Sequence, residues 1–152
     1  TPVLLSKEGS CIRLCDFYEN IDSIVNILKQ QNDVVEFEVI YTSNGFTGFT
    51  YIKERYILDE EGVHVCFSCD ADEAYALGYE APVIKTDGDS VSETSFTDNR
   101  IICRYKSHEY IIETESCNIK IDGEYANRNG IYEKAVILRK DNKPLNICFK
   151  IN

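Results

Sequence analysis

The side chains best equipped for chemistry in this chain are seven cysteines and two histidines. Two cysteine pairs stand close together, Cys11 with Cys15 and Cys66 with Cys69. Thiols so placed oxidise to disulfides, hold zinc as thiolates, or stay reduced in a core, and each outcome implies a compartment. Disulfides place the protein outside the cell or in the secretory pathway; zinc or reduced thiols place it inside. The disulfide candidates are Cys11, Cys15, Cys66, Cys69, Cys103, Cys117 and Cys148, and an odd count leaves at least one thiol over. Cys103 and Cys117 are expected on neighbouring strands. A zinc set would be Cys11, Cys15, Cys66 and Cys69, but the three-residue gap of the first pair and the long separation depart from knuckle spacing. Cys66 and Cys69 follow a strand-like run, whereas a redox Cys-x-x-Cys opens a helix within a βαβ unit.

Neither His64 nor His108 is framed by a motif, and there is no Gly-x-Ser-x-Gly, His-Glu-x-x-His, phosphate-binding glycine loop or dinucleotide fingerprint. The reading is of a protein without catalytic residues, cofactor or resident metal. Asp70, Asp72, Glu73, Asp87 and Asp89 bracket one region with the hard oxygens that calcium needs. Counted from Asp70, however, the sixth and twelfth places of an EF-hand hold Tyr75 and Ala81 instead of glycine and glutamate. These acids, with Tyr75 and Tyr79 of the ten tyrosines, are therefore candidate contacts to a ligand, since tyrosine joins apolar area to a polar tip.

The 152 residues carry a net charge of −10. That balance repels phosphate backbones and anionic membranes and attracts basic proteins. No apolar run approaches the roughly 18 residues of a membrane helix. The chain opens on Thr1-Pro2 and contains no methionine, so removal of an upstream segment is expected.

These residues need elements to position them. Ile21, Ile24, Val25 and Leu28 fall at i, i+3, i+4 and i+7, which predicts an N-terminal amphipathic helix capped by Asp16 or Asn20. From Val34 the period drops to two, and Asn44-Gly45 signals a hairpin whose second arm runs from Phe49 to Leu58. A strand is expected at Val63 to Phe67, with Val63, Val65 and Phe67 on one face and His64 and Cys66 on the other. A single helical turn is expected at Asp72 to Leu77, and a mobile loop from Thr86 to Asn99. Further strands are expected at 101–105, 110–114, 117–121, 131–138 and 145–151. The fold class is mainly β: one domain, 1–152, forming an antiparallel sandwich or barrel of about eight or nine strands with the helix packed on it.

The stretches Ser10-Cys11-Ile12-Arg13-Leu14-Cys15 and Ser43-Asn44-Gly45-Phe46, with the acidic sheet, the cysteines and an Asn-, Lys-, Ile- and Tyr-rich composition, resemble the poxvirus secreted chemokine-binding β-sandwich domains. Some of those domains follow a viral tumour-necrosis-factor receptor. The resemblance implies a secreted, non-enzymatic decoy that captures small basic chemokines. Two alternatives stand beside it: an intracellular reduced-cysteine or zinc-binding domain of a processed polyprotein or multidomain enzyme, and a barrel enclosing a small apolar ligand.

Overall fold

The computed structural model describes residues 1–6, 10–43, 49–70, 75–115, 117–139, 141 and 143–152. Among them run thirteen strands: β1 Pro2–Ser6, β2 Cys11–Arg13, β3 Ile21–Gln30, β4 Val35–Ser43, β5 Tyr51–Asp59, β6 Gly62–Cys69, β7 Tyr75–Thr86, β8 Glu93–Thr97, β9 Arg100–Tyr105, β10 His108–Thr114, β11 Asn118–Asn127, β12 Gly130–Arg139 and β13 Leu145–Ile151. A 3-10 helix, Leu14–Asn20, links β2 to β3. Five strands form one antiparallel sheet in the order β11-β12-β7-β1-β2, and eight form the other, β3-β4-β5-β6-β13-β10-β9-β8. Leu4, Leu77, Val83 and Ile137 of the smaller sheet share a buried cluster with Ile52, Phe67, Ile101, Ile112 and Leu145 of the larger. Burial of apolar faces from both sheets in one layer is what makes a sandwich of the pair.

Alternation in the sequence reappears as faces. Val65 and Phe67 are buried while His64 and Cys66 look outward, as the period-two reading of that strand requires. The strands expected near 35–41, 49–58, 101–105, 110–114, 117–121, 131–138 and 145–151 are all present within a few residues. The Asn127–Gly130 turn is also present. Asn127 accepts the Asn129 amide at 2.8 Å, and Gly130 takes φ +142°, where an added Cβ would collide with the Thr86 carbonyl oxygen.

The N-terminal amphipathic helix is not there. Its residues form β3, which pairs with β4 from Ile21 opposite Ser43 to Gln30 opposite Val35. Helical spacing arose because apolar residues occupy both faces of the strand, so i, i+3 and i+4 are filled without a helix. Four β-branched residues in seven, Ile21, Ile24, Val25 and Ile27, also favour the extended chain, and β4 supplies the backbone partners. β3 is an edge strand, which is why Val25 and Ile27 remain more than half exposed. Asp16 and Asn20 belong to the 3-10 helix instead of capping a helix after it.

Three smaller expectations also change. Tyr75 to Leu77 is the start of β7, held by β1 through the Leu4–Leu77 and Ser6–Tyr75 pairs, so tertiary pairing overrides the acidic helix-start signal. The proposed Asn44-Gly45 turn and residues 71–74 lie outside the described residues. The segment from Thr86 to Asn99 contains β8, whose Phe96 pairs with Ile101. A polar sheet edge reads in sequence like a loop because one side of it faces water. Finally, Cys103 lies on β9 in the larger sheet and Cys117 just before β11 in the smaller, so their strands are not neighbours.

Candidate functional site

The acidic residues singled out from sequence do not assemble into one surface. Asp70 precedes β7, whereas Asp87 and Asp89 follow it, and twelve residues of strand rise about 40 Å. Asp70 Oδ1 is taken by the amides of Thr50 and Tyr51 at 2.9 and 2.8 Å, closing the end of β5. Asp87 accepts from the Lys106 ammonium at 2.8 Å and from the amides of Asp89 and Ser90, which holds its carboxyl well below the usual carboxylate range. Both carboxylates are therefore turn-builders. Asp89 is exposed in the same turn, Asp72 and Glu73 lie outside the described residues, and Tyr75 is placed only by its backbone, at the start of β7.

No S–S bond joins any of the seven cysteines in the structure. Alternation puts Cys66 on the outer face of β6 and Cys69, three residues on, facing the core, so the two cannot chelate one ion from a single strand. Among the described residues no group of three or more His, Cys, Asp or Glu side chains is arranged to hold a metal. No helix among them is long and apolar enough to cross a membrane.

Of the described candidate contacts, Tyr79 lines a cavity. It measures about 440 Å³ and lies where β4, β5 and β7 meet β1 and the 3-10 helix. Tyr41, Tyr56, Tyr79 and Glu54 line it, with Cys15 and Thr1 also at its wall. Register explains the gathering. Glu54 stands opposite Val39 and Phe67 in an inward-facing row, Tyr41 lies in the adjacent row opposite Ile52, and Tyr56 is two residues along β5 on the same face. Tyr79 comes from the facing sheet, its ring 6.4 Å from that of Phe149.

Glu54 is only 2% exposed, and its Oε1 is buried without a hydrogen-bond donor. Tyr41, Tyr56 and Tyr79 lie close enough that burial, then the Glu54 charge, pushes each phenol well above its ordinary range. None of the three completes a bond to Oε1. The Thr1 ammonium, also at this wall, donates to the Glu80 carbonyl at 2.7 Å. Arg13 is likewise committed to Glu80, with Nε 2.7 Å from Oε1. A buried carboxylate with an unmatched oxygen costs folding free energy, and a cation entering the cavity would recover it.

A second, larger hollow of about 640 Å³ lies on the outer face of the eight-stranded sheet, between Arg55, His64, Cys66, Arg100, Glu113 and Cys148. Arg55, His64, Arg100 and Glu113 each lie in an ion pair here, while Arg100 Nε and Thr114 Oγ1 are buried without a hydrogen-bond partner. Arg55 Nε lies 2.6 Å from Glu36, Lys150 donates to Glu113 at 2.8 Å, and His64 sits 3.3 Å from Asp59. Arg100 Nε comes within 3.0 Å of Glu113, but the approach is misaligned and no hydrogen bond forms.

The fold and cavity together define a two-sheet β-sandwich with a pocket whose wall holds one buried carboxylate. Compared with protein families, curated proteins and solved structures, the chain matches none. Sequence reasoning selected Tyr79 and passed over Glu54 and Tyr41. The signal was nonetheless present: in Ile52, Glu54, Tyr56 and Leu58 a carboxylate occupies an inward position of the alternation.

Proposed function

We propose that this protein is a non-enzymatic, extracellular binding module that captures a basic protein ligand, a chemokine being the sharpest candidate, by seating one of the ligand's cationic groups against Glu54. The observation that carries the reading is the Glu54 carboxylate: desolvated, ringed by tyrosines and left with an unmatched oxygen inside a 440 Å³ cavity. The net charge of −10 supports the choice of a basic partner, because it steers cations toward the molecule at long range. The apolar-ligand alternative is poorly served here, since an apolar guest would leave that carboxylate buried and unpaired.

The test is biosensor capture of a panel of purified chemokines. Saturable binding that weakens as salt rises from about 50 to about 300 mM is expected, since the screening length shortens over that range. Affinity indifferent to salt, or no capture of any member, overturns the reading. The extracellular assignment has its own test: alkylating the native protein without reductant modifies one or few cysteines if the thiols are oxidised in the source compartment, and most of the seven if the protein is intracellular.

A further inference from the structure

We infer that the Glu54 cavity is a receptor for a primary alkylammonium group, as borne by a lysine side chain or a small free amine, and not for a guanidinium. The inference rests on the basic-ligand reading and deepens it. Three features of the pocket select the ion. The unmatched acceptor is a single carboxylate oxygen, Oε1 of Glu54. Around it stand the hydroxyls of Tyr41, Tyr56 and Tyr79, whose oxygens have lone pairs to offer. One charged acceptor flanked by hydroxyl oxygens fits the three donors of an ammonium tripod. A guanidinium presents five donors in a planar fork that pairs best with both oxygens of one carboxylate, and Glu54, which lines the pocket, leaves one oxygen, Oε1, without a partner.

The second feature is aromatic. Tyrosine rings are favourable neighbours for an alkylammonium, whose charge is attracted to the π system and whose methylenes pack against it. The third is the state of the nearby charges. The Thr1 nitrogen, at the wall, donates to the Glu80 carbonyl and the nearby Arg13 pairs with the Glu80 carboxylate, and Oε1 of Glu54 stays unmatched. The tyrosines stay protonated at neutral pH, so they add no competing negative charge and keep their hydroxyls. Glu54 is then the one carboxylate among the described residues that line the cavity.

The experiment titrates n-pentylammonium chloride, a lysine octapeptide and an arginine octapeptide against the folded protein, following tyrosine ring resonances by NMR. Saturable shifts confined to Tyr41, Tyr56 and Tyr79 are expected with pentylammonium and with the lysine peptide, and the arginine peptide is expected to bind at least about tenfold more weakly at this site. Binding of pentylammonium alone supports the pocket with a free amine as its guest; binding of both supports it with a side chain as guest. Glu54→Gln, checked for folding by circular dichroism, is expected to weaken both by about tenfold or more. Tyr79→Phe, which keeps the ring and removes one hydroxyl, is expected to weaken them less. Equal binding of the two octapeptides, shifts absent from the three tyrosines, or affinity unchanged in Glu54→Gln overturns the inference. If a chemokine is captured equally by wild type and Glu54→Gln, the ammonium pocket falls and the protein-ligand reading survives. If pentylammonium binding depends on Glu54 while no chemokine is captured, the reverse holds.

Discussion

The two hollows of this sandwich each hold a carboxylate and differ in how its charge is partnered. On the outer face, Glu113 is shared by Arg100 and Lys150, Arg55 is taken by Glu36 and His64 sits beside Asp59, so these charges lie in ion pairs and the buried unpartnered atoms left among the described residues at the larger hollow are Arg100 Nε, itself beside Glu113, and the uncharged Thr114 Oγ1. Between the sheets, one carboxylate in a smaller cavity keeps an oxygen with no partner. The difference teaches that neither the size of a hollow nor the number of its charges marks a binding site. What marks it is a desolvated group whose partner must come from outside.

The comparison breaks most visibly in base. Tyr41, Tyr56 and Tyr79 are held protonated by burial and by Glu54, and Tyr110 is pushed to about 12 by burial. Each of these phenols ionises near pH 10 in the unfolded chain and later in the folded one. Their stabilising contribution is thus intact below about pH 10 and is lost as pH climbs toward 12. Phenolate absorbance and circular dichroism, followed together, are expected to show these tyrosines ionising only as the sandwich unfolds. Independent ionisation without unfolding would mean that the cavity is wet and open.

Next in size is Phe67→Ala. Phe67 is fully buried and stands directly opposite Glu54 on the neighbouring strand, so its removal leaves a void in the core beside Glu54. A loss of about 3–5 kcal/mol in urea unfolding is expected. Glu54→Gln is expected to move stability the other way, by about 1 kcal/mol, because it removes a buried charge one of whose oxygens has no hydrogen-bond partner. A destabilised Glu54→Gln in thermal denaturation would show that the carboxylate is matched within the fold and would remove the contrast between the two hollows.

The smallest effect belongs to the groove. Glu113→Gln disrupts the contacts with Arg100 and Lys150, yet these are partly exposed pairs, and a loss of less than about 1 kcal/mol is expected. Lys150 depresses the Glu113 carboxyl, so its contribution is present above the ordinary carboxylate pKa and fades as pH falls through the lowered one. An acid titration of wild type against Glu113→Gln checks this sign: the two stabilities are expected to converge at low pH.

Much of the sheet was legible because a strand with one buried face repeats every two residues. Val63, Val65 and Phe67 opposed to His64 and Cys66 is the clearest instance. β3 was misread for the converse reason. An edge strand with apolar residues on both faces has no such period, and its spacing imitates a helix. β8 was hidden by polarity, since Thr, Ser and Glu on a sheet edge look like loop. In the site, Tyr79 was within reach of sequence, whereas the selected acids proved to be turn-builders, because an aspartate's local hydrogen bonds to nearby amides are not visible as composition.

By itself the sequence determined the class of fold, the sign of the long-range field and the inward position of Glu54, because alternation and net charge are properties of the chain read in order. Only the tertiary structure decided which strands share a sheet, that Tyr79 crosses from the facing sheet to join Tyr41 and Tyr56, and that Glu54 Oε1 finds no donor among them. Register and sheet packing bring Tyr41 and Tyr79, 38 positions apart, to one cavity, and no local pattern encodes a meeting set by pairing across two layers.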